Sequence, residues 1–119
     1  MFRIVDEKGY YVFEPPVFGI ELASQLIRRK PRDIAKKVHD EVMERVIVVD
    51  EIEYDLLLGI ALQTGCRAVD AYYIAAASII EGILISADRI MVANARRYGV
   101  NAYYIHDAKE YSELMSKLQ

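Results

Sequence analysis

The run Ala68-Val69-Asp70-Ala71-Tyr72-Tyr73-Ile74-Ala75-Ala76-Ala77, followed after Gly82 by Ile83-Leu84-Ile85-Ser86-Ala87-Asp88, decides how this chain is read. Its first part is apolar on every side except for one carboxylate in the first turn, so it predicts a helix enclosed by the rest of the protein. Residues 83–86 form a short, unbroken apolar run bounded by Gly82, the pattern of a strand covered on both faces. Asp88 then opens the next helix. In open parallel sheets the ligand crevice lies beyond the carboxyl ends of the strands, which puts Asp88 where chemistry is usually found.

The chain has 119 residues, 54% of them hydrophobic, which predicts a single domain over 1–119 with one core. Residues 68–86 are hydrophobic enough to suggest a membrane span, but Asp70 and Glu81 interrupt them and the clean part is too short for ~30 Å of hydrocarbon. No membrane association is expected. The single Cys66 leaves no internal disulfide and no cysteine set for zinc, and no basic-then-apolar leader is apparent. The expectation is a cytoplasmic protein. The net charge of -3 argues against a protein basic all over, although Arg28, Arg29, Lys30, Arg32, Lys36 and Lys37 make a local basic edge.

Outward from the central stretch the elements alternate. Phe2-Arg3-Ile4-Val5 and Tyr10-Tyr11-Val12-Phe13 read as strands around the turn Asp6-Glu7-Lys8-Gly9, an N-terminal hairpin within residues 1–14. Pro16 suits the first position of a helix from Val17 to Lys30, whose apolar arc is Gly19, Ile20, Leu22, Ala23, Leu26 and Ile27. Glu21 falls on the opposite, polar face. Pro31 begins a second helix with a stripe of Ile34, Val38 and Val42, and Val46-Ile47-Val48-Val49 reads as a buried strand. Glu53 to Thr64 is helical and ends at Gly65 in a left-handed cap. Arg89 to Tyr98 is a helix with Arg96 and Arg97 at the negative end of its dipole and Gly99 as its stop. Val100 to Ile105 is a strand, and Asp107-Ala108-Lys109-Glu110 is a capping box before a final amphipathic helix. Strands separated by single helices imply an α/β fold with a mostly parallel central sheet.

Three pieces together resemble the PIN domain, the fold of metal-dependent RNases and of the toxins in VapBC toxin-antitoxin pairs. They are Pro15-Pro16-Val17-Phe18-Gly19-Ile20-Glu21-Leu22-Ala23, then Ala68 to Ala75, then Leu84-Ile85-Ser86-Ala87-Asp88 with Ala95-Arg96-Arg97-Tyr98-Gly99-Val100. The resemblance covers residues 10–105 and implies a three-layer sandwich over 15–119. It implies a Mg²⁺- or Mn²⁺-dependent endoribonuclease in which Glu21, Asp70 and Asp88 hold the metal and Ser86 orients a carboxylate or water. RNA and an antitoxin protein are the implied partners. Such chemistry needs hard oxygen ligands, since cleaving a phosphodiester requires an activated water and charge offset on the phosphoryl oxygens. The basic cluster at 28–37 supplies candidate phosphate contacts.

The chain departs from the family at its start. PIN domains open with a strand ending in an Asp and a helical crossover, whereas here only Glu7 to Gly9 separate Asp6 from the next strand, and a parallel crossover takes at least ~10 residues. Asp6 is not expected to take that position. An N-terminally shortened PIN protein, a hairpin at 2–13 that patches the sheet antiparallel, or a second subunit would each account for the difference. Without the family's central strand, the strands at 46–49 and 83–86 would have open edges, so a homodimer through residues 2–30 is expected.

Each candidate has a plainer reading. Asp70 and Asp88 sit where first-turn acids and helix caps are favoured by ~1 kcal/mol, and Glu21 where most Glu residues are merely solvated. His39, His106 and Cys66 are assigned no role, and Tyr72, Tyr73, Tyr103 and Tyr104 read as core or dimer contacts. A catalytically impaired PIN relative acting as a protein- or RNA-binding module is the alternative function. A receiver domain lacks its paired acids at the first strand, and neither G-x-G-x-x-G nor G-x-x-x-x-G-K-[ST] occurs.

Overall fold

The computed structural model describes residues 2–6, 9 and 11–118. In chain order the elements are β1 (Phe2–Val5), β2 (Val12–Glu14), α1 (Val17–Ile27), α2 (Arg32–Met43), β3 (Ile47–Val48) and α3 (Tyr54–Thr64). They continue with α4 (Ala68–Ile80), β4 (Ile83–Ser86), α5 (Arg89–Tyr98), β5 (Asn101–Tyr104) and α6 (Ala108–Lys117). The five strands form one sheet in the order β3-β2-β1-β4-β5.

The expected mostly parallel sheet is corrected to a mixed one. β1 runs antiparallel to both β2 and β4, whereas β2 and β3, and β4 and β5, pair in parallel. Four strands therefore share one direction and the central strand opposes them. The cause is the short connection from Val5 to Val12, since so few residues reverse the chain but cannot carry it back over the sheet. Asp6 closes this turn: its carbonyl accepts from the Gly9 N–H at 2.9 Å, and its Oδ1 accepts from the Tyr11 N–H at 3.0 Å. Glu7 and Lys8 of the expected turn and Tyr10 of the expected strand lie outside the described residues. Since Val5 pairs with Ile83, at the start of β4, Asp6 stands at the end of the sheet away from Asp88.

With β1 in place, β4 has a partner on each side, so the open edge expected for residues 83–86 is filled within the chain. Gly82 makes that placement possible. A Cβ there would stand 2.5 Å from the backbone oxygen of Val5, a contact no side chain tolerates. The strand expected at 46–49 shortens to Ile47–Val48, and as the sheet edge it leaves Ile47 45% exposed rather than buried.

Strand alternation divides the core between the two faces of the sheet. Ile4 and Leu84 join the larger cluster with Ile60, Tyr73, Ile74 and Met91, which encloses α4 as its composition requires. Val5 and Ile83 face the other way and pack with Leu114 of α6. The left-handed caps at Gly65 and Gly99 are present, at φ 68° and 99°. The capping box at 107–110 is half formed. Asp107 accepts from the Glu110 N–H at 3.0 Å, while the Glu110 carboxylate turns to Arg96 and to the Tyr104 N–H.

The faces expected of α1 and α2 are corrected. α1 buries Phe18, Gly19 and Leu22 but leaves Ile20 70% and Ile27 51% exposed. α2 buries Ala35 and leaves Ile34 outside. The two helices form a hairpin with a shared groove lined by Ile20, Ala23, Ile27, Ala35, Lys36 and His39, and no further layer covers it among the described residues. Among the described residues no helix is long and apolar enough to cross a membrane.

Candidate functional site

The shared direction of β2 and β4 brings their carboxyl ends, Glu14 and Ser86, to the same edge of the sheet. Next to that edge α4 begins. Arg67 is its N-cap residue and Asp70 stands in its first turn, where a carboxylate gains from the helix dipole. Asp70 is fully buried, which demands a partner for its charge. Arg67 provides it: Nη2 donates to Asp70 Oδ1 at 3.1 Å and Nε donates to Oδ2 at 3.2 Å, a two-pronged contact. The same Nη2 donates to Asp88 Oδ2 at 3.2 Å. The Asp70 contact holds the guanidinium even more firmly protonated than usual, and the nearby charges of Asp88 and Glu21 add to this.

Asp88 divides its two oxygens between the two roles read for it. Oδ1 accepts from the N–H groups of Ile90 and Met91 at 2.9 and 3.2 Å, the cap of α5, and Oδ2 meets Arg67. Ser86 is buried, and its Oγ accepts from the Asp88 N–H at 2.9 Å, so it positions the backbone of that acid. Glu21 is half-buried rather than solvated. The hydroxyl of Tyr73 donates to its Oε1, and burial, then this bond, keeps that hydroxyl protonated far above its ordinary range. Glu21, Gln25, Arg67 and Tyr73, with Phe18, Leu22 and Val69, line a cleft of about 230 Å³. That is smaller than the ~300–1,000 Å³ of pockets that enclose whole organic ligands, and suits an ion or a single phosphate group.

The structure thus joins Asp70, Asp88 and Ser86 through Arg67 and the Asp88 backbone, with Glu21 on the wall of the cleft that Arg67 also lines. Their oxygens are chemically suited to Mg²⁺ or Mn²⁺. In this arrangement Asp70 and Asp88 bind a guanidinium instead, and among the described residues no three His, Cys, Asp or Glu side chains are close enough together to hold one metal ion.

Arg67 and Glu14 carry no role in the sequence reading, and Tyr73 is read there only as a core or dimer contact. Arg67 is three positions before Asp70, a spacing that signals a helical ion pair without revealing that it reaches Asp88 as well. Tyr73 is one turn after Asp70 on a helix read as buried, so its hydroxyl needed a partner. Glu14 ends an apolar run as Asp88 does. It is 1% exposed, and neither carboxylate oxygen has a hydrogen-bond partner among the described residues. Burial pushes its pKa up to about 8 against the opposing charge of Arg3, with Glu21 raising it further. The basic residues Arg28, Arg29 and Lys30 line a second cavity of about 530 Å³ that shares Leu22 and Gln25 with the first. No protein-family model, curated protein or solved structure matches the chain.

Proposed function

We propose that this chain is a PIN-type endoribonuclease that hydrolyses RNA phosphodiester bonds with Mg²⁺ or Mn²⁺ held by Glu21, Asp70 and Asp88. The observation that carries this reading is the corner beyond the carboxyl end of β4, where Arg67 bridges the buried Asp70 to Asp88 and shares one cleft with Glu21. A scatter of surface acids does not bury one of its members completely, as Asp70 is. When bound, the divalent ion supplies an activated water and offsets charge on the phosphoryl oxygens.

The residues of this chain prepare the place. Asp70 is fixed by α4, Asp88 by its cap on α5 and by Ser86, and Glu21 by Tyr73. Arg28, Arg29 and Lys30 extend from the cleft as a basic track suited to the RNA backbone. The three-layer PIN sandwich belongs to this same reading, with β1 standing antiparallel in place of the family's parallel central strand. The second reading, a PIN relative that binds without cutting, is favoured by one observation: the acids already have a cation in Arg67. An antitoxin or a second copy of the chain would then use exposed apolar residues of α1, Ile20 and Ile27, within the segment expected to form a homodimer.

Cleavage of a mixed RNA pool decides between them. A nuclease needs Mg²⁺ or Mn²⁺, stops with EDTA, and loses at least ~100-fold in rate in Asp70→Asn, since even outer partners of metal ligands are worth roughly 10–100-fold. Absence of cleavage under all these conditions favours the binding module. Metal-independent cleavage that survives Asp70→Asn overturns the assignment of the acids.

A further inference from the structure

We propose that α3 is the contact face of a symmetric homodimer, in which the α3 helices of two copies lie antiparallel across a two-fold axis near Leu58 and Gly59. This inference is independent of the nuclease reading, and it places the contact outside residues 2–30. α3 buries Ile60 and Thr64 against the core and turns Tyr54, Leu58 and Leu62 outward, at 73%, 40% and 79% exposed. Positions four apart share one side of a helix, so the three form an apolar stripe about 12 Å long. A single exposed apolar side chain is ordinary, whereas a contiguous line of large ones marks a surface that something covers.

Gly59 points to another helix as the cover. It lies in the middle of α3 beside the stripe and is itself exposed, at a place where glycine costs roughly 1 kcal/mol relative to alanine. Its backbone is not left-handed, and a Cβ there would meet nothing within 4 Å, so no turn and no described neighbour demands a glycine. Close approach by a second backbone does. Charge selects a second copy of this chain. Glu51, Glu53 and Asp55 are exposed around the N-terminal end of α3. Arg97, also exposed, is held at the C-terminal end, where its Nη1 donates to the Thr64 carbonyl at 3.2 Å. The surface is acidic at one end and carries a cation at the other, so it complements a copy of itself turned end for end. With the axis at Leu58, Tyr54 meets the partner's Leu62, and Glu53 stands at the end of α3 that faces the partner's Arg97. The two-fold axis makes each of these contacts twice.

Sedimentation equilibrium of the full chain, with thermal unfolding over the same concentrations, tests this. The parent is expected to be a dimer whose melting temperature rises with concentration. Leu62→Glu changes a largely exposed position, so the fold survives, and is expected to weaken association on the order of 10-fold or more. Gly59→Ala separates the two roles of that residue. Alanine favours the helix, so in a chain without this contact the variant simply melts higher. In the proposed dimer the added methyl holds the backbones apart, and association weakens on the order of 10-fold. Glu53→Arg and Arg97→Glu are each expected to weaken the dimer, and the doubly substituted chain to regain affinity, since ends that exchange their charges stay complementary. A parent that is monomeric up to millimolar concentration overturns the proposal. So does a dimer whose affinity is unchanged by both Leu62→Glu and Gly59→Ala, because it must form through another face. A dimer weakened by Leu62→Glu and Gly59→Ala but not rescued by the charge exchange overturns the antiparallel arrangement.

Discussion

Asp88 at the carboxyl end of β4 and Glu14 at the carboxyl end of β2 lie on the same edge of one sheet, yet their surroundings are opposite. Asp88 spends one oxygen on two N–H groups of α5 and the other on Arg67, and keeps partial contact with water. Glu14 is enclosed with neither oxygen partnered among the described residues. The difference comes from the next few residues of the chain in each case. Beyond Asp88 a helix begins at once and presents free N–H groups to the preceding side chain. Beyond Glu14 come Pro15 and Pro16, and proline has no N–H to offer. Pro16 is accordingly the N-cap residue of α1, which has no side-chain cap bond. A strand-end acid is thus satisfied or stranded according to the few residues that follow it.

The largest consequence of this contrast is a pH dependence of stability owed to Glu14. Its pKa in the folded chain, about 8, is above the ordinary 4.5, so folding favours the protonated form. The associated stability is fully present below pH 4.5, declines as pH rises between the two values, and is gone above about 8. At ~1.4 kcal/mol per pH unit the total is on the order of 5 kcal/mol. Glu14→Gln removes the ionisation. Urea unfolding should find it close to the parent at pH 5 and more stable by a few kcal/mol at pH 8.5. A parent whose stability is level across that range would show that Glu14 is solvated or partnered, and the contrast with Asp88 would collapse.

Legibility in the sequence tracks the range of each interaction. Asp70, Asp88, Ser86, Asp107 and the caps at Gly65 and Gly99 are readable because their partners or conformations are set within a few residues along the chain. The placement of β1 is not, since the hairpin at 2–13 has the same pattern whether it lies at an edge or in the middle of the sheet, and only the pairing of Val5 with Ile83 decides this. Arg67 escapes the sequence for a related reason. Its bond to Asp70 is local, but its bond to Asp88 spans twenty-one positions and depends on how α4 packs beside β4. The buried arcs of α1 and α2 differ from expectation because a helical wheel shows an apolar stripe without showing whether another element covers it.

Asp88 should yield a smaller change, and one that separates its two oxygens. Asp88→Ala removes the cap of α5 together with the contact to Arg67, and the loss is expected at about 1–2 kcal/mol, in the range of N-cap deletions. Asn caps helices nearly as well as Asp, so Asp88→Asn should retain most of the cap. Its remaining loss is the charge contact with an Arg67 that is itself largely exposed, and pairs of that kind are worth ~0–1 kcal/mol. Chemical unfolding of both variants at pH 7 tests the division: Asn recovering most of the Ala loss assigns the stabilising role to Oδ1. Equal losses in the two variants would instead place the stability of this corner in the charge that Asp88 offers to Arg67.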